Sequence, residues 1–434
     1  MLYIMDLLYL LAAAAISPKV IYRMIRQNRY RAGWGQRFGR IARKEPTKKS
    51  IWLHAVSVGE VNAAKTVIAG LEAKFPDFEI LITTTTDTGF ARAKALFGER
   101  FCVSYFPLDF SWTMRRAFVT IGPAICLLME LEVWPNFMRI AGRRRIPVVV
   151  VNGRISDKSF STYSRIRPLV RGTFARVSLV LPQTEEYARR FRHLGCPEAN
   201  VAVTGSLKYD TAQLADKVAD ADTLAGQLDL GGQPLWVAGG TGNDEEEILL
   251  DVFQRLKQQG HADELRLAIV PRKPERFDQV AELIQSRGFP LVRYSRIKDG
   301  SAGPPDDNRA VILGDTMGDL RKFYSLARVV FVGRSLVPMG GSDMMEAAAL
   351  GKCTMFGPHA FNFRQTVDAL LAGEGAIIVK NGDDLLDAMK KCLLEPDHTD
   401  RIAANGRRVI RENQGATAKT LDQIRRLLET GDGS

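Results

Sequence analysis

Short apolar runs alternate with longer stretches of helical periodicity along most of the chain after Ser50. This alternation is typical of parallel strands joined by helical crossovers, because parallel neighbours need a connection of about ten residues or more. It predicts a doubly wound α/β domain over residues 50–209, with strands at IWLHA, EILITT, FCVSYF, AICLLM, IPVVVVN, VSLVLP and VAVTG.

The alternation stops over residues 210–233, which are polar and rich in alanine and contain no apolar run of strand length. We expect this stretch to be a linker or hinge. A second doubly wound domain is predicted over residues 234–414, with strands at PLWVAG, LRLAIV, FPLVRY, AVILG, RVVFVG, CTMFG and AIIVK. Residues 415–434 are predicted to form a last helix that packs back across the hinge. The fold class is therefore α/β with two Rossmann-like domains, and a ligand site is expected in a cleft between them.

The chain opens with an apolar run, MLYIMDLLYLLAAAAIS, that is broken only by Asp6. Its length is at the short end of what spans a bilayer core of about 30 Å. Positive charge follows the run, as in an uncleaved anchor, whereas a secretory signal carries it before the run. We expect residues 1–18 to be a membrane anchor, with everything after Lys19 in the cytoplasm. A buried N-terminal helix is the alternative.

The net charge of +11 is concentrated in residues 19–49, where eleven lysines and arginines face a single acid, Glu45. Because no nucleic-acid motif accompanies this charge, we expect a basic juxtamembrane segment that lies against anionic headgroups. Tyr22, Trp34 and Phe38 suit the membrane interface. The five cysteines have neither close pairs nor metal-ligand spacing, so they indicate a reducing cytoplasm and predict neither a disulfide nor a metal site.

Polar clusters follow three predicted strands of the first domain, at HAVSVGE, TTTTDTG and MELEVWPN. Two interpretations of Glu60 in the first cluster are open. Ser57 and Glu60 have the spacing of a capping box, in which the acid only stabilises a helix; alternatively, Glu60 is a reactive carboxylate at the end of a strand. Glu130 and Glu132 in the third cluster have strand spacing, which predicts that both point to one face, and surface or capping acids are the alternative.

In the second domain, SLVPMGGSDMMEAAALGK runs from a strand end through a Gly-Gly turn into a helix that carries Glu346 in its early turns. Free backbone N–H groups and the helix dipole predict a phosphate site there, and a capping turn with a solvent-facing acid is the alternative. VPRKPERF places Arg272 and Lys273 at a strand end, as phosphate ligands or as an ordinary surface turn. GDTMGDL is typical of a strand end followed by an N-capped helix. The chain has no dinucleotide fingerprint and no P-loop.

Taken in their order and spacing, these motifs resemble the 3-deoxy-D-manno-octulosonic acid (Kdo) transferases of Gram-negative lipopolysaccharide assembly. Members of that family are inverting glycosyltransferases of the GT-B fold that use CMP-Kdo to glycosylate a lipid A precursor. The resemblance covers nearly the whole chain and runs through RMIRQNRYRAGWGQRFG, IWLHAVSVGE, ITTTTDTG, PLD, MELEVWPN, VNGRISDKSF, GSLKYD, VPRKPERF, GDTMGDL, FVGRSLVPMGG and FGPHAFNF.

The resemblance implies a role for each motif. Glu60 matches the proposed general base of the HxxSxGE motif, and Glu132, with its neighbour Glu130, matches the acids of the ExExWPN motif. Apart from the resemblance, Ser57 and Gly59 are small residues that would let an acceptor approach Glu60. Arg154 and Lys158, near a strand end of the same domain, are candidates to meet lipid phosphates, with an ordinary basic surface as the alternative. The donor side is implied to comprise Thr241, Arg272, Lys273, Met317, Gly318, Gly340, Gly341, Ser342, Asp343 and Glu346.

The implied partners are the CMP-Kdo donor, a lipid A precursor and a membrane surface contacted by residues 1–49. No cofactor, metal or nucleic acid is implied, and the implied location is the inner membrane with cytoplasmic catalytic domains. One base is chemically sufficient for such a reaction, because CMP leaves as a stable phosphate monoester anion and needs no strong general acid.

Several positions depart from the family pattern, all of them in the donor half. The chain has Gly242 where the family usually has the histidine of a Thr-His pair, and Lys273 where it has the histidine of Pro-Arg-His. Ser342 and Asp343 stand in place of His-Asn, and Gln365 replaces a glutamate. A GT-B transferase or epimerase acting on a UDP-sugar is therefore the alternative enzyme, and a basic membrane-tethered binding module is the non-enzymatic one.

Overall fold

The computed structural model describes residues 2–26, 32–260, 262–304 and 307–431. The chain divides into two compact units. The first comprises Met1–Thr211 together with Gln414–Ser434, and the second comprises Ala212–Asn413. The polypeptide therefore returns to the first unit at its C-terminal end. The cleft expected between two domains stays a prediction.

The first unit is built on a six-stranded sheet of order β3-β2-β1-β4-β5-β6, in which every neighbouring pair is parallel. Its strands are β1 Lys49–His54, β2 Phe78–Thr84, β3 Cys102–Tyr105, β4 Pro123–Met129, β5 Val148–Gly153 and β6 Leu179–Pro182. Six of the seven predicted strands form. The seventh, VAVTG, is wrong, because this stretch makes only one isolated bridge, between Val201 and Val180.

Helices cover both faces of this sheet, which is why its strands are almost continuously apolar. Trp52 of β1 packs on one face, with its ring centroid 5.2 Å from that of Phe118 and 5.1 Å from that of Phe137. Ile51 and Leu53 enter the core on the opposite face. The helices of this unit are α1 Leu2–Arg26, α2 Trp34–Arg37, α3 Val58–Ala63, α4 Lys65–Lys74, α5 Asp87–Phe97, α6 Ser111–Ile121, α7 Pro135–Arg143, α8 Asp157–Arg165, α9 Arg167–Phe174, α10 Glu185–Leu194 and α11 Leu207–Asp210, with the 3₁₀ turn Glu198–Asn200.

The second unit contains a seven-stranded parallel sheet of order β13-β12-β11-β7-β8-β10-β9. All seven predicted strands form, as β7 Leu235–Thr241, β8 Arg266–Pro271, β9 Leu291–Arg293, β10 Val311–Leu313, β11 Val329–Val332, β12 Cys353–Phe356 and β13 Ile377–Ile378. The helices are α12 Ala221–Gln227, α13 Glu245–Gln258, α14 Phe277–Ser286, α15 Tyr294–Lys298, α16 Leu320–Leu326, α17 Met345–Ala349, α18 Arg364–Ala372, α19 Gly382–Leu394 and α20 Pro396–Asn413, with the 3₁₀ turns Pro274–Arg276 and Phe361–Phe363.

In each sheet the first strand lies next to a later strand from which the sheet extends in the opposite direction. In the first sheet the reversal lies between β1 and β4, and in the second it lies between β7 and β11. At such a point the loops at the carboxyl ends of the two strands diverge and leave a crevice, which is where open α/β sheets bind ligands. The topology therefore singles out the loops after β1, β4, β7 and β11.

The last helix, α21 Ala416–Gly431, belongs to the first unit. The Gln414 side chain donates to the carbonyl of Tyr209 at 2.9 Å, and the Gly415 N–H donates to Asp210 at 2.7 Å. Residues 432–434 of the predicted final helix lie outside the described residues.

The N-terminal helix α1 continues through Pro18 to Arg26 and is held on the first unit by polar contacts. Asp6 accepts hydrogen bonds from the Ser111 N–H and the Asn136 side chain, at 2.9 and 3.0 Å. Tyr9 donates to Asp109 at 2.8 Å. Among the described residues, no helix combines the length and the apolarity that crossing a membrane requires.

Part of the basic segment belongs to the folded unit. Ile41 is buried in the core, Arg43 pairs with Glu79 at 2.7 Å, and the Arg37 guanidinium lies 4.2 Å from the centroid of the Tyr105 ring. These residues of the expected juxtamembrane segment 19–49 are therefore packed into the first unit, where Arg43 pairs with the buried Glu79. Arg29 and Arg31 of the segment lie outside the described residues.

Candidate functional site

Glu60 lies in the loop and first helical turn after β1. Ser57 caps α3, and its hydroxyl both accepts from the Glu60 N–H at 3.4 Å and donates to the Glu60 carboxylate at 2.9 Å. The other carboxylate oxygen accepts from the Val56 N–H at 2.8 Å. Ser57 thus caps the helix as the capping box predicts, whereas the carboxylate accepts from the N–H of Val56 rather than from that of Ser57. These bonds fix the carboxylate at the β1 edge of the first crevice.

The surroundings of Glu60 favour its protonated form. Its side chain is buried, and burial raises its pKa to about 7, with the negative charges of Glu130 and Glu132 adding to the rise. The hydrogen bonds from Val56 and Ser57 act in the opposite direction. A carboxylate with a pKa near neutrality is matched to proton transfer at physiological pH.

Glu130 and Glu132 follow β4, on the other side of the same crevice. The prediction that they alternate along a strand is wrong, because β4 ends at Met129 and Glu130 has a left-handed backbone with φ of 55°. Glu132 accepts from the Trp134 indole N–H at 2.9 Å. Burial raises the pKa of both acids. The fold nevertheless gathers three carboxylates, since the ends of neighbouring parallel strands meet at one edge of the sheet.

Two cations act on Glu130. The charges of Arg154, after β5, and of Lys208, in α11, both lower its pKa against the effect of burial. Arg154 was a predicted acceptor-side residue, whereas Lys208 was missed, although it lies in the GSLKYD motif. None of the described contacts joins Lys158, which is exposed in α8, to these acids. A Cβ added at Gly59 would meet only the Ser57 hydroxyl, at 3.8 Å, so the space beside Glu60 is open.

His54, at the end of β1, is the second titratable side chain of the HAVSVGE motif. Its ring stacks on Phe106 at 3.8 Å, and its Nδ1 lies 3.0 Å from the carbonyl of Thr83. Complete burial lowers its pKa to about 3, so the imidazole is neutral at physiological pH. His54 is therefore a core residue and Glu60 is the better base.

At the crevice of the second unit, one buried carboxylate holds two loops together. Glu245 accepts from the backbone N–H groups of Gly242, Ser335 and Leu336, at 3.0, 2.7 and 2.9 Å, and from that of Arg334. The loop after β7 is thereby fixed to the loop after β11. This buried acid was missed because its partners are backbone groups, which leave no sequence signature.

The Gly340–Gly341 turn and Ser342 after it are hydrogen-bonded near the ends of β7 and β11, where the same two loops begin. The N–H groups of Gly341 and Ser342 donate to the carbonyls of Arg334 and Gly333, at 2.7 and 3.0 Å, so these two groups of the turn are not free for a phosphate. The predicted phosphate site as a whole stays a prediction. The Ser342 hydroxyl donates to the carbonyl of Gly240 at 2.7 Å. Glycine is required at 340, where φ is 93° and a Cβ would lie 2.1 Å from the Asn362 amide nitrogen.

Glu346 is the donor-side acid that interacts with several other charged side chains. An Arg321 guanidinium nitrogen lies 3.6 Å from its carboxylate, and the charges of Arg321 and Arg272 oppose the rise in its pKa that burial causes. Asp343, which accepts from the Met345 N–H at 2.9 Å, adds to that rise. Arg321 was missed, since its position directly after GDTMGDL carries no pattern that indicates a ligand.

Other predicted donor residues lie around this centre with different roles. Thr241 is fully buried and its hydroxyl donates to Glu246 at 2.7 Å, which makes it structural. Lys273 is exposed beyond β8, and Met317 and Gly318 are exposed in the loop before α16. The predicted cap of that helix is wrong: Asp319 stands at the N-cap position, but its carboxylate accepts from Thr316 at 2.7 Å and pairs with lysines instead. Within the described ranges, no cluster of three or more acidic, histidine or cysteine side chains is placed to hold a metal ion.

A family model of 3-deoxy-D-manno-octulosonic-acid transferases (kdotransferases) matches residues 32–211, which include the whole Glu60 crevice. The chain is also 34% identical to the 3-deoxy-D-manno-octulosonic acid transferase of Haemophilus influenzae, over 410 residues that cover 93% of each protein. The protein belongs to the Kdo transferase family. It is therefore a glycosyltransferase. The Kdo transferase of Bordetella pertussis is 32% identical over 431 residues, which cover 96% of this chain and 98% of that protein.

Comparison with solved structures shows a similar fold. A glycosyltransferase from Rickettsia africae superposes with a TM-score of 0.55 at 14% sequence identity, over 89% of this chain and 100% of that one. Together with the two parallel sheets, this likeness supports the two-domain α/β fold of GT-B glycosyltransferases for this Kdo transferase family member.

Proposed function

We propose that the protein transfers Kdo from CMP-Kdo to a hydroxyl group of a lipid A precursor, with inversion at the anomeric carbon and with Glu60 as general base. The observation that carries the proposal is a buried carboxylate, with a pKa of about 7, held at the carboxyl-end crevice of the first unit. Membership of the Kdo transferase family supports the sugar.

In the proposed step, the acceptor oxygen attacks the anomeric carbon while the bond from that carbon to the phosphate oxygen of CMP breaks. The acceptor proton passes to the Glu60 carboxylate, and CMP leaves with the bonding electrons as a monoester anion. Arg272 and Arg321, which act on Glu346 in the donor half, are suited to stabilise that anion. Glu130 and Glu132 make Glu60 a stronger base, because their charges oppose its ionisation.

The transfer assay has two arms. Purified protein is incubated with a lipid A precursor and either CMP-Kdo or a panel of UDP-sugars, and the lipid product is followed by mass spectrometry. We expect a mass increase of one or more Kdo residues with CMP-Kdo alone. Transfer from a UDP-sugar alone would contradict the proposal and favour the alternative donor that the altered donor motifs leave open.

We also propose that the first unit works at a membrane surface, in keeping with a lipid acceptor. Four leucines of α1 are more than half exposed, namely Leu7, Leu8, Leu10 and Leu11. Because Arg37, Ile41 and Arg43 are part of the folded unit, residues 34–49 must be kept in any shortened protein that is used to study this contact. The inner membrane and the anchor at residues 1–18 belong to this proposal.

A further inference from the structure

Arg334 follows β11 directly, at the reversal point of the second sheet. Its neighbour Gly333 donates from its N–H to the carbonyl of Gly239 in β7, at 2.9 Å. The residue therefore lies at the crevice between β7 and β11, where the topology predicts a ligand.

The backbone of Arg334 is left-handed, with φ of 61°. A non-glycine residue is strained in this conformation, which glycine adopts freely, and such strain concentrates at binding and active sites. Glu245 accepts from its N–H, and its carbonyl accepts from Gly341 at 2.7 Å, so the surrounding loops hold the strained conformation in place.

The guanidinium of Arg334 has little to bind within the protein. One Nη donates to the carbonyl of Met339 at 3.1 Å, whereas Nε is buried without a hydrogen-bond partner. Among the described residues, no carboxylate forms an ion pair with this side chain. A buried donor of a cationic group is costly to leave unpaired, so the site indicates an anionic partner.

Arg334 and Met339 occupy the space beside Gly242. A Cβ added at Gly242 would lie 2.6 Å from the Met339 sulfur and 2.9 Å from the Arg334 Cγ. Position 242 therefore has room only for glycine, and the stem of Arg334 fills the space between the loops after β7 and β11.

We propose that Arg334 binds an oxyanion of the nucleotide-sugar donor. The inference rests on the proposed function, since a CMP-sugar of a keto acid offers two such groups, a phosphate and a carboxylate. A guanidinium binds either group through paired hydrogen bonds. Arg334 is thus a specificity-determining residue of the donor half.

The test uses calorimetric titration of the full chain with CMP, CMP-Kdo and cytidine. Arg334→Met keeps an unbranched apolar stem of similar bulk near the backbone and removes the guanidinium with its charge. We expect its affinity for CMP-Kdo to fall at least tenfold, with little change for neutral cytidine. An equal loss for CMP and CMP-Kdo identifies the phosphate as the bound group, and a loss for CMP-Kdo alone identifies the carboxylate.

Arg334→Gly separates binding from stability. Because it relieves the left-handed strain, we expect a melting temperature equal to or above that of the wild type, together with the same loss of affinity. Arg145→Gly is the matched control, since Arg145 is exposed in the first unit and also left-handed, with φ of 56°. It should leave donor affinity unchanged. Wild-type affinity for CMP-Kdo in Arg334→Gly would overturn the inference.

Wild-type affinity for CMP and CMP-Kdo in Arg334→Met would overturn the role of Arg334 and leave the proposed function intact. A wild-type protein that binds neither ligand would overturn the proposed function and the inference together.

Discussion

At the scale of single residues, the chemistry depends on what surrounds one carboxylate. In the sequence, Glu60 is a solitary acid that looks like part of a capping box. In the fold, its N–H still bonds to the capping hydroxyl of Ser57. In addition, the charges of Glu130 and Glu132, which follow the neighbouring strand, raise the pKa of its carboxyl group. The sequence therefore predicted the residue but not its pKa, because the pKa depends on burial and on charges about 70 residues away in the chain.

The pH dependence of kcat/KM tests this environment. Glu60 must be ionised to accept a proton, so activity should rise as pH increases through about 7 and level off above it. Glu132→Gln removes one opposing charge and should move this rise to lower pH. A profile that is flat from about pH 5 to pH 9, or one that Glu132→Gln leaves in place, would contradict the assignment.

The same group makes a prediction for stability. The pKa of Glu60 in the folded protein, about 7, lies above its ordinary value of 4.5, so its stabilising contribution is complete below about pH 4.5 and is lost as pH rises through 7. Glu60→Gln avoids the buried charge. It should therefore raise the free energy of unfolding at pH 8.5, by up to roughly 3 kcal/mol, and have a smaller effect at pH 5. Urea unfolding at the two pH values measures this, and a loss of stability at pH 8.5 would contradict it.

At the scale of elements, apolar runs predicted the strands well where both faces of a strand are covered. VAVTG lies beside β6, with the Ala202 N–H donating to the Val180 carbonyl at 3.0 Å, but it forms a single bridge rather than a strand, and a short apolar run does not distinguish the two. The left-handed backbones of Glu130 and Arg334 were not predictable, since sequence patterns assign that conformation to glycine and asparagine. Arg321 and Lys208 were missed because each acts on an acid supplied by another element.

The hydrogen bonds of Glu245 should contribute strongly to stability, because they join the loop after β7 to the loop after β11. Removing its carboxylate leaves four backbone N–H groups without their acceptor, so Glu245→Ala should cost on the order of 3 kcal/mol or more in the free energy of unfolding. Glu247→Ala is the matched control in the same helix, because Glu247 is exposed and pairs only with Arg287 among the described ion pairs. Its cost should stay below about 1 kcal/mol. Equal effects in chemical denaturation would show that Glu245 does not hold the loops.

At the scale of the whole molecule, the proposed lipid acceptor requires the enzyme to work at a membrane surface. Replacing Leu8 and Leu11 of α1 by serine removes exposed apolar area, and the folded units should be unaffected. We expect the double variant to lose most of its binding to anionic vesicles in sedimentation assays. Leu394→Ser, at a similarly exposed leucine of α19, should bind as the wild type does.

The order of domains was visible in the sequence because the α/β pattern is interrupted once and then resumes. The extent of the first unit was less visible. Residues before and after the α/β pattern of this unit are held in it by contacts between partners far apart in the chain. Examples are the Arg43–Glu79 ion pair and the hydrogen bond from Gln414 to the carbonyl of Tyr209.

The central claim, that Glu60 is the base of a Kdo transfer, is tested most directly by Glu60→Gln. The variant keeps the shape of the side chain and an acceptor for the Val56 N–H, so it should fold and bind CMP with the affinity of the wild type. We expect its rate of Kdo transfer from CMP-Kdo to a lipid A precursor to fall by at least about a hundredfold. A folded variant that binds CMP and transfers Kdo at a near-normal rate would contradict the claim.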